Sequence, residues 1–505
     1  MKSAFNLTKI QRALSRSIVV FAVGLILPSA ALQAQNIWVG GASNGNFSDI
    51  ANWDFAPSWS FTNSLIFQTN TSAPTLNFNI DISLTNVIVN DIFFDTTFPV
   101  ARTLQTEPGG VIYFKTRLEN LSAHTQTINM PLLGGYDGAD SIQLNPVGGS
   151  LVIDGDFYND FNKSYAVFGS QTTNVTSLTL NTGIGLRGTN QESINFTVAG
   201  DRNVAVQVNT NQIWQGLTDI QAGTFTTASG VQLASSDIFI NGGNVTTTSA
   251  DTFSDSAKLR VNVGQLSVGG SDIVGSLEGT GGSVDISSSA TLTIGTDNTS
   301  TSYAGTISGL GGVSKVGTGV MTLSGTNNYS GTTTVSGGTL NLNKTAGGDA
   351  IAGAVVVDSG AILLLSSSDN VENTAAVTLS GGTITRGTGV SETFGALTLN
   401  GNSFLNFGGV SEAANLAFGA LSLGVYNVSV SGFALNNQLK YAAASEDDGL
   451  SLLSRFSFDN SYTTSFNTGT FTITAIPEPS TYVAAIGLLA LLVWPLCRRQ
   501  RVKVS

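Results

Sequence analysis

The stretch GLGGVSKVGTGVMTLSGTNNYSGTTTVSGGTLNLN, residues 309–343, carries the strongest fold signal in the chain. Within it, short runs alternate apolar residues with Ser, Thr or Asn, and each run is closed by a turn that contains glycine. A period of two is the pattern of a β-strand, and glycine supplies the backbone freedom that a sharp turn requires. One strand-and-turn unit is too small to bury its apolar face alone. The stretch therefore predicts units that stack on one another and share a core.

The same pattern continues on both sides of this stretch, from about residue 36 to residue 474, and no amphipathic helix is predicted there. Examples are SLVIDG (150–155), SLTLNTG (177–183), AGTFTT (222–227), TLTIGT (291–296) and ALTLNG (396–401). Stacked coils would place Asn and Thr side chains in ladders between neighbouring coils. The fold class that we predict is all-β, a right-handed parallel β-helix (solenoid).

Two decapeptides suggest how the units repeat. The first begins at Gly275 and the second at Gly305, and four glycines match when the two are aligned from these residues. Further along, Tyr303-Ala-Gly-Thr matches Tyr329-Ser-Gly-Thr at a smaller offset. A shrinking offset is expected when insertions fall in the loops of otherwise equivalent units. The matches predict structural equivalence at these positions.

The first 34 residues have the three-part layout of a secretory signal peptide. A basic segment precedes the apolar run IVVFAVGLIL (18–27) and a group of small residues, with cleavage predicted after Ala34. The basic residues are Lys2, Lys9, Arg12 and Arg16. The alternative is an uncleaved anchor, which the short run disfavours because about 20 apolar residues span a bilayer. The segment predicts export through the Sec translocon.

Composition and charge narrow the class of protein. The chain has 58 Gly, one His, one Cys and 11% charged residues, which fits neither a disordered chain nor an ordinary α/β enzyme. Without its two terminal segments it carries 13 basic and 32 acidic residues, a net charge of −19. Such a surface repels nucleic acid, because phosphate binding requires Lys and Arg. The single cysteine, Cys497, excludes disulfides, so an extended core has to hold the fold.

The sequence ends in IPEPSTYVAAIGLLALLVWPLCRRQRVKVS, residues 476–505. Pro477, Glu478 and Pro479 precede a short spacer, and a single hydrophobic helix is predicted over residues 482–497. A basic cluster follows, formed by Arg498, Arg499, Arg501 and Lys503. By the positive-inside rule the basic end stays in the cytoplasm, which leaves the Pro-Glu-Pro sequence just outside the membrane. The alternatives are a temporary anchor that is cut off and an ordinary single-pass anchor, and the shortness of the run favours the first.

Residues 309–343 resemble the autotransporter-associated β-strand repeat of large secreted bacterial proteins. The likeness rests on the paired glycines, Lys315, Gly317, Leu-Ser-Gly at 323–325, Asn-Asn-Tyr-Ser-Gly at 327–331 and Gly-Gly-Thr-Leu at 337–340. It implies a β-helical passenger and does not imply an enzyme. A true autotransporter ends in a membrane β-barrel, whereas this sequence ends in a short apolar segment and arginines, so we do not expect self-export.

The order of motif, spacer, apolar run and arginines in residues 476–505 resembles the PEP-CTERM sorting signal. That signal is read by an exosortase in Gram-negative bacteria whose genomes also encode exopolysaccharide systems. The resemblance implies an exosortase-like processing protease as a partner. It also implies that the membrane holds the protein only until the Pro-Glu-Pro sequence is read.

Few residues are of a kind that supports catalysis. His124 is the only imidazole, lies in no nucleophile or zinc motif and is predicted to be an ordinary strand residue. The best carboxylate cluster, Asp154, Asp156 and Asp160, begins like a calcium loop, but Tyr158 takes a ligand position. We predict a polar turn there, with a loose calcium site as the alternative. No catalytic residue, metal site or cofactor is expected, and the enzyme alternative is a polysaccharide lyase or glycosidase that uses these acids.

The N-terminal region differs from the rest of the chain in its aromatic content. Three of the five tryptophans, Trp38, Trp53 and Trp59, lie within it. One interpretation is a cap, because the first coil of a solenoid must be covered. The other is an aromatic surface on which carbohydrate stacks, and the cap is favoured.

The predicted organisation is a signal peptide (1–34), an N-terminal β region or cap (35–146), a β-solenoid (147–475) with the repeat at 305–343, and the sorting signal (476–505). We expect an exported, non-enzymatic cell-surface or extracellular-matrix protein, associated with exopolysaccharide or biofilm and held transiently in the inner membrane. The alternative is a polysaccharide-binding or polysaccharide-degrading β-helix protein. Expected partners are the Sec translocon, an exosortase-like protease and exopolysaccharide, and nucleic acid is not expected.

Overall fold

The computed structural model describes the chain in segments between residues 35 and 476. These are residues 35–38, 64–67, 75–78, 87–98, 101–106, 111–134, 141–159, 164–170, 175–185, 195–199, 204–344, 347–410, 412–443, 445–459, 463–468 and 470–476. All of them belong to one compact unit, residues 35–505. The predicted signal peptide with Ala34, the residues Trp53 and Trp59, the side chain of Trp38 and residues 477–505 lie outside the described part. The described part contains no helix long and apolar enough to cross a membrane.

Strands make up most of the described residues, and one short helix lies near the C-terminal end. The elements are β1 (Gln35–Trp38), β2 (Ser64–Phe67), β3 (Thr75–Phe78), β4 (Val87–Phe94), β5 (Arg102–Thr106), β6 (Ile112–Asn120), β7 (Gln126–Asn129), β8 (Leu132–Gly134), β9 (Ser141–Pro146), β10 (Leu151–Ile153), β11 (Phe157–Asn159), β12 (Ser164–Val167), β13 (Thr176–Leu180), β14 (Ile184–Gly185), β15 (Phe196–Val198), β16 (Val204–Val208), β17 (Leu217–Ile220), β18 (Thr224–Thr227), β19 (Asp237–Thr247), β20 (Lys258–Val268), β21 (Asp272–Val274), β22 (Ser276–Glu278), β23 (Ser283–Ile286), β24 (Thr291–Ile294), β25 (Thr301–Tyr303), β26 (Thr306–Gly309), β27 (Gly312–Lys315), β28 (Val320–Leu323), β29 (Thr333–Val335), β30 (Thr339–Leu342), β31 (Val355–Asp358), β32 (Ile362–Leu365), β33 (Val377–Ser380), β34 (Thr383–Arg386), β35 (Glu392–Thr393), β36 (Leu397–Gly401), β37 (Ser403–Asn406), β38 (Ala414–Ser422), β39 (Val428–Ser431), β40 (Asn437–Ala442), α1 (Glu446–Leu453), β41 (Phe456–Phe458), β42 (Thr463–Asn467) and β43 (Thr472–Ile476).

The strands form parallel ladders in which each coil of the chain lies on the coil before it. In one inward column Leu65 lies beside Ile92, and Ile92 lies beside Leu118. All three side chains are fully buried. In the described part the ladders join into sheets of 23, 12 and 8 strands, and every strand pairing is parallel except those made by β43. The prediction of an all-β parallel solenoid is confirmed.

The core follows from the period-two sequence pattern. In β13 and β16 buried side chains alternate with half-buried ones, so one set of residues faces the axis of the coil. Equivalent inward positions meet across successive coils, and aromatic rings therefore stack. The ring centroids of Phe67 and Phe94 lie 5.1 Å apart, and those of Phe394 and Phe418 also lie 5.1 Å apart. Each coil is thus stabilised mainly by its two neighbours.

Glycines at the corners of the coil let successive turns approach closely. A Cβ added at Gly325 would lie 2.0 Å from the carbonyl oxygen of Gly305, and one at Gly305 would lie 2.2 Å from that of Gly281. These three glycines therefore occupy one corner of successive coils. The predicted equivalence of Gly275 and Gly305 is wrong, because Gly305 stacks on Gly281. Since several corners carry glycine, the sequence match joins turns from different corners.

The same error affects the two tyrosines. Tyr303 lies in β25 beside Leu323 of β28. Tyr329 lies outside any strand, and its hydroxyl shares a 2.6 Å hydrogen bond with that of Thr333. Tyr303 and Tyr329 are therefore not equivalent, although both are fully buried.

The C-terminal end of the described solenoid departs from the parallel pattern. Strand β43 runs antiparallel to β40, with Leu439 beside Ile473, and β42 folds back on β43. The short helix α1 precedes this hairpin, where the sequence pattern predicts none. Its N-cap residue Ser445 accepts a hydrogen bond from the backbone of Asp448 at 3.2 Å. A serine three positions before an acid is a helix-start signal that the strand-dominated pattern obscures.

The ladder is continuous across the boundary predicted at residue 146. Asn120 of β6 lies beside Pro146 of β9, and Leu144 of β9 lies beside Val167 of β12. The first sheet thus contains strands from both predicted regions. The domain limits themselves, and the cap formed by residues 35–146, stay predictions.

Candidate functional site

The predicted carboxylates Asp154 and Asp156 lie on the surface, on either side of Gly155. The Nδ2 atom of Asn181 donates a 2.5 Å hydrogen bond to Oδ1 of Asp154. The Nδ2 atom of Asn209 in turn donates to Oδ1 of Asn181 at 2.6 Å. Asp154, Asn181 and Asn209, which we call the outer corner, follow the ends of β10, β13 and β16. The predicted Asn ladder between coils is present here, and Asp154 accepts a hydrogen bond from it.

The calcium loop does not form in the described part of residues 154–160. Strand β11 begins at Phe157, whose side chain is fully buried and lies 5.8 Å from Phe114. A calcium loop needs a turn at this position, and the strand removes it. The third acid of the cluster, Asp160, lies outside the described residues. Among the described residues no group of three or more His, Asp or Glu side chains is placed to hold a metal ion.

His124 lies exposed in a bend between β6 and β7, so the prediction of a strand residue is wrong. Its backbone carbonyl accepts a 2.7 Å hydrogen bond from Nδ2 of the buried Asn120. The side chain of Asn120 thereby fixes the bend. The position of His124 in the described structure is explained by its backbone, without a role for the imidazole.

The described acids whose pKa values are raised furthest are two other residues, Glu392 and Asp272. Glu392 is 1% exposed, and its carboxylate accepts hydrogen bonds from the backbone of Asn370 at 2.8 Å and of Val371 at 3.4 Å. Burial raises the pKa of Glu392 to about 7. Asn370 and Asn327, both buried, also bond backbone groups of neighbouring coils. We call Asn327, Asn370 and Glu392 the inner corner.

Asp272 repeats this arrangement nearer the middle of the chain. It is 1% exposed and accepts hydrogen bonds from the backbone of Thr252 at 3.0 Å and of Phe253 at 3.2 Å. Burial raises the pKa of Asp272 to about 6. Each buried acid satisfies backbone donors of the preceding coil where no strand pairs with them. These groups are structural, since their carboxylates are turned into the solenoid.

Three cations among the described residues also lie in the interior, Lys315, Lys344 and Arg386. Lys315 is 1% exposed, and its Nζ donates to the carbonyl oxygens of Val316 at 2.6 Å and Gly337 at 3.3 Å. Burial lowers the pKa of Lys315. Arg386, also 1% exposed, pairs through Nη1 with Glu412 at 3.0 Å. Lys315 belongs to the repeat motif and ties two successive turns together, which gives this motif residue a structural role.

An open groove of about 690 Å³ crosses one lateral face of the solenoid. Its floor is a column of outward side chains from five successive coils, which the strand registers place side by side. These are Phe239, Arg260, Glu278, Ser302 and Thr322. We call this feature the lateral groove. The sequence does not predict it, because the five residues are far apart in the chain and only the register brings them together.

An ion cluster lies in the middle of the lateral groove. Nη2 of Arg260 lies 3.4 Å from Oδ1 of Asp237, and Nε lies 2.7 Å from Oε1 of Glu278. Asp237 belongs to the coil before Arg260 and Glu278 to the coil after it. The three side chains remain 30% to 41% exposed. The cluster therefore spans three coils and still offers charged hydrogen-bonding groups to solvent.

Hydrogen bonds between coils brace both walls of the lateral groove. On one side Oδ1 of Asn262 accepts from the backbone of Thr280 at 3.2 Å. On the other side Oγ of Ser300 accepts from the backbone of Val320 at 3.0 Å. The described lining residues include no His, Lys or Cys. Hydrogen bonds between coils thus fix both walls of the groove, and most of its lining side chains are polar.

The predicted sorting residues Pro477, Glu478 and Pro479, the basic residues Arg498, Arg499 and Arg501, and the cleavage residue Ala34 lie outside the described residues. Their roles stay predictions. The last described residue, Ile476, ends strand β43 directly before Pro477.

Comparison with known proteins agrees with the repeat in residues 309–343. The model of the passenger-associated-transport-repeat family matches residues 313–342. The Adhesin BmaC autotransporter of Brucella suis biovar 1 (strain 1330) is 30% identical over 222 residues, which are 42% of this chain and 6% of that protein. The chain thus spans a small part of the length of this relative. No solved structure matches the chain. These findings confirm that the chain carries an autotransporter-type passenger repeat within a β-solenoid.

Proposed function

We propose that the protein is an exported, non-enzymatic β-solenoid that is displayed at the cell surface or in the extracellular matrix. The observation that carries this proposal is the parallel ladder from β1 to β41 with a passenger repeat at residues 313–342. A stack of coils presents a long, ordered lateral surface, which suits adhesion or scaffolding. The matched relative bears the name of an adhesin, and that supports a surface role without showing one.

The described acids support the non-enzymatic part of the proposal. The outer corner uses Asp154 as a hydrogen-bond acceptor for Asn181, and the inner corner turns Glu392 away from solvent. Polysaccharide cleavage by a pair of acids needs two carboxyl groups that face one sugar from a shared cleft. In the lateral groove the acids Asp237 and Glu278 are both engaged by Arg260.

Sorting forms the second part of the proposal. The Sec translocon would export the chain with cleavage after Ala34, the hydrophobic helix over residues 482–497 would hold it in the inner membrane, and an exosortase-like protease would read Pro477-Glu478-Pro479. The hairpin of β42 and β43 supports a boundary between the solenoid and the sorting signal, because the last described strand ends at Ile476. Cleavage after that residue would leave every described strand intact.

The test is C-terminal peptide mapping of the surface form and of the inner-membrane form. We expect the surface form to lack the peptides that contain Cys497 and Lys503, and the membrane form to retain them. A variant with Glu478→Ala should accumulate with its tail intact, whereas the matched Glu372→Ala variant should be processed as the wild type is. Surface protein that still carries Cys497 and Lys503 would contradict sorting and favour an ordinary anchor.

Association with exopolysaccharide or biofilm is a proposal that rests on the resemblance of the tail to a PEP-CTERM signal. The matrix fraction of a biofilm should contain the processed protein. Removal of the exopolysaccharide from the host should then release it into the medium. Unchanged retention in the absence of that polymer would contradict this part of the proposal.

A further inference from the structure

We propose that the lateral groove binds an extended, uncharged polysaccharide chain that lies along the solenoid axis. The inference rests on the proposed function in one respect, since a surface location would expose the groove to extracellular polymers. Its physical basis is the shape, the chemistry and the charge of the groove, which are independent of sorting.

The shape of the groove favours a linear polymer. Its floor is formed by one residue from each of five stacked strands, from Phe239 to Thr322. Neighbouring strands lie about 4.8 Å apart, so the floor is about 19 Å long. The groove is open to solvent and continues across coils without a closing loop among its described lining residues. A chain of several sugars can therefore enter from the side.

The order of side chains along the floor matches the two kinds of surface that a sugar presents. Phe239 is half-buried and lines the groove, and an aromatic ring at this place suits contact with the C–H groups of a sugar ring. Arg260 follows with a guanidinium fork, which suits a pair of neighbouring hydroxyl groups as donor, while the carboxylates of Asp237 and Glu278 accept. The exposed hydroxyl of Ser302 and that of Thr322 extend the polar part of the floor.

The charges in and around the groove favour an uncharged polymer over a charged one. Arg260 is the one cation among the described residues of the groove, and its guanidinium lies within 3.4 Å of Asp237 and 2.7 Å of Glu278. The site therefore has no net positive charge. The chain without its two terminal segments carries a net charge of −19, which repels polyanions.

An extended peptide fits the groove less well. Peptides that add to a sheet need an edge strand with free backbone groups. The floor strands β19, β20 and β28 have paired strands on both sides, and β22 and β25 lie next to each other across the single bridge between Gly279 and Tyr303, so none of them is open to a peptide strand. A ligand in the groove would therefore be bound by side chains. This is the mode of contact that we propose for a polysaccharide.

The experiment is affinity electrophoresis of the full chain in gels that contain a neutral β-glucan, mannan, galactan or xylan, with polygalacturonate as the anionic comparison. We expect retardation by at least one neutral polymer and none by polygalacturonate. Phe239→Ala and Glu278→Gln should each weaken the retarding interaction roughly tenfold, because each removes a central contact. Thermal unfolding of each variant checks its fold, and Glu278→Gln keeps the test valid if Phe239→Ala does not fold.

The matched control is Arg117→Gln. Arg117 lies 3.2 Å from Glu119 and 4.8 Å above the ring of Phe93, so it has similar partners outside the lateral groove. We expect binding by this variant and by Trp59→Ala to equal that of the wild type.

No retardation by any neutral polymer, retardation by polygalacturonate alone, or loss of binding in Trp59→Ala but not in Phe239→Ala would each overturn the inference. Normal surface display without binding would contradict this inference alone. Binding by a protein that is never displayed would contradict the proposed function alone.

Discussion

The outer corner and the inner corner are both polar ladders at turns of the same solenoid, yet they lie in opposite environments. At the outer corner Asp154, Asn181 and Asn209 bond one another through their side chains in solvent. At the inner corner Glu392 is 1% exposed and bonds the backbone of the preceding coil. A hydrogen bond in water replaces one to water, whereas a buried donor that loses its partner keeps the full cost of desolvation. The hydrogen bonds of the inner corner should therefore contribute more to the free energy of unfolding than those of the outer corner do.

The largest effect is expected at the inner corner. Glu392→Ala would leave the backbone N–H groups of Asn370 and Val371 without their carboxylate partner in the interior, and would open a cavity. We expect the free energy of unfolding to fall by about 4 kcal/mol. Urea denaturation followed by circular dichroism measures it, with Asp154→Ala as the matched change at the outer corner. Equal losses in the two variants would remove the distinction between the corners.

The second effect is a pH dependence of the stability that arises at the inner corner. Burial raises the pKa of Glu392 to about 7, so the folded protein binds this proton more tightly than the unfolded chain does. The resulting stability is fully present below about pH 4, where the unfolded chain also holds the proton, and is lost as the pH rises through about 7. Asp272, with a pKa of about 6, adds a loss in the same direction at lower pH.

We therefore expect wild-type protein to lose about 3 kcal/mol more stability between pH 4 and pH 8 than Glu392→Gln does. The measurement is the urea midpoint of both proteins at several pH values across this range. Asp154→Asn serves as the control, because it makes a carboxylate-to-amide change at the outer corner. Parallel profiles for wild type and Glu392→Gln would show that burial does not hold this proton.

The smallest effects belong to the outer corner itself. Asn181→Ala removes both hydrogen bonds of the ladder and should cost about 1 kcal/mol, whereas Asp154→Ala removes one and should stay within about 0.5 kcal/mol. Chemical denaturation of the two variants beside wild type gives the comparison. A loss in Asp154→Ala as large as that in Glu392→Ala would mean that both acids support their coils in the same way.

The sequence predicts where the strands lie, but it does not predict the register in which they pair. SLTLNTG and TLTIGT contain most of β13 and all of β24, because period-two alternation between glycine turns leaves few other structures. The match of Gly275 with Gly305 is wrong because the sequence shows that glycine marks a corner but not which corner. The lateral groove depends on register in the same way, since its five floor residues belong to five coils.

The interior cations do have a signal in the sequence. Lys315 lies two positions after the buried Val313, and Arg386 lies two positions after the buried Ile384. Alternation alone places both on the inward face. A charged residue is normally assigned to the surface, and that preference prevails unless backbone carbonyls are available to receive it. Glu392 has the same signal, because it lies two positions after the buried Val390 and two before the buried Phe394.

The hairpin of β42 and β43 also has a consequence for filament growth. Parallel coils form an open-ended template, on which a further coil can add in the same direction by backbone hydrogen bonding. Here the last described strand runs against that direction and pairs with β40 through Leu439 and Ile473. A second molecule cannot add a parallel coil to β40, because β43 already pairs with its free edge. The hairpin therefore prevents another molecule from extending the described solenoid through β40.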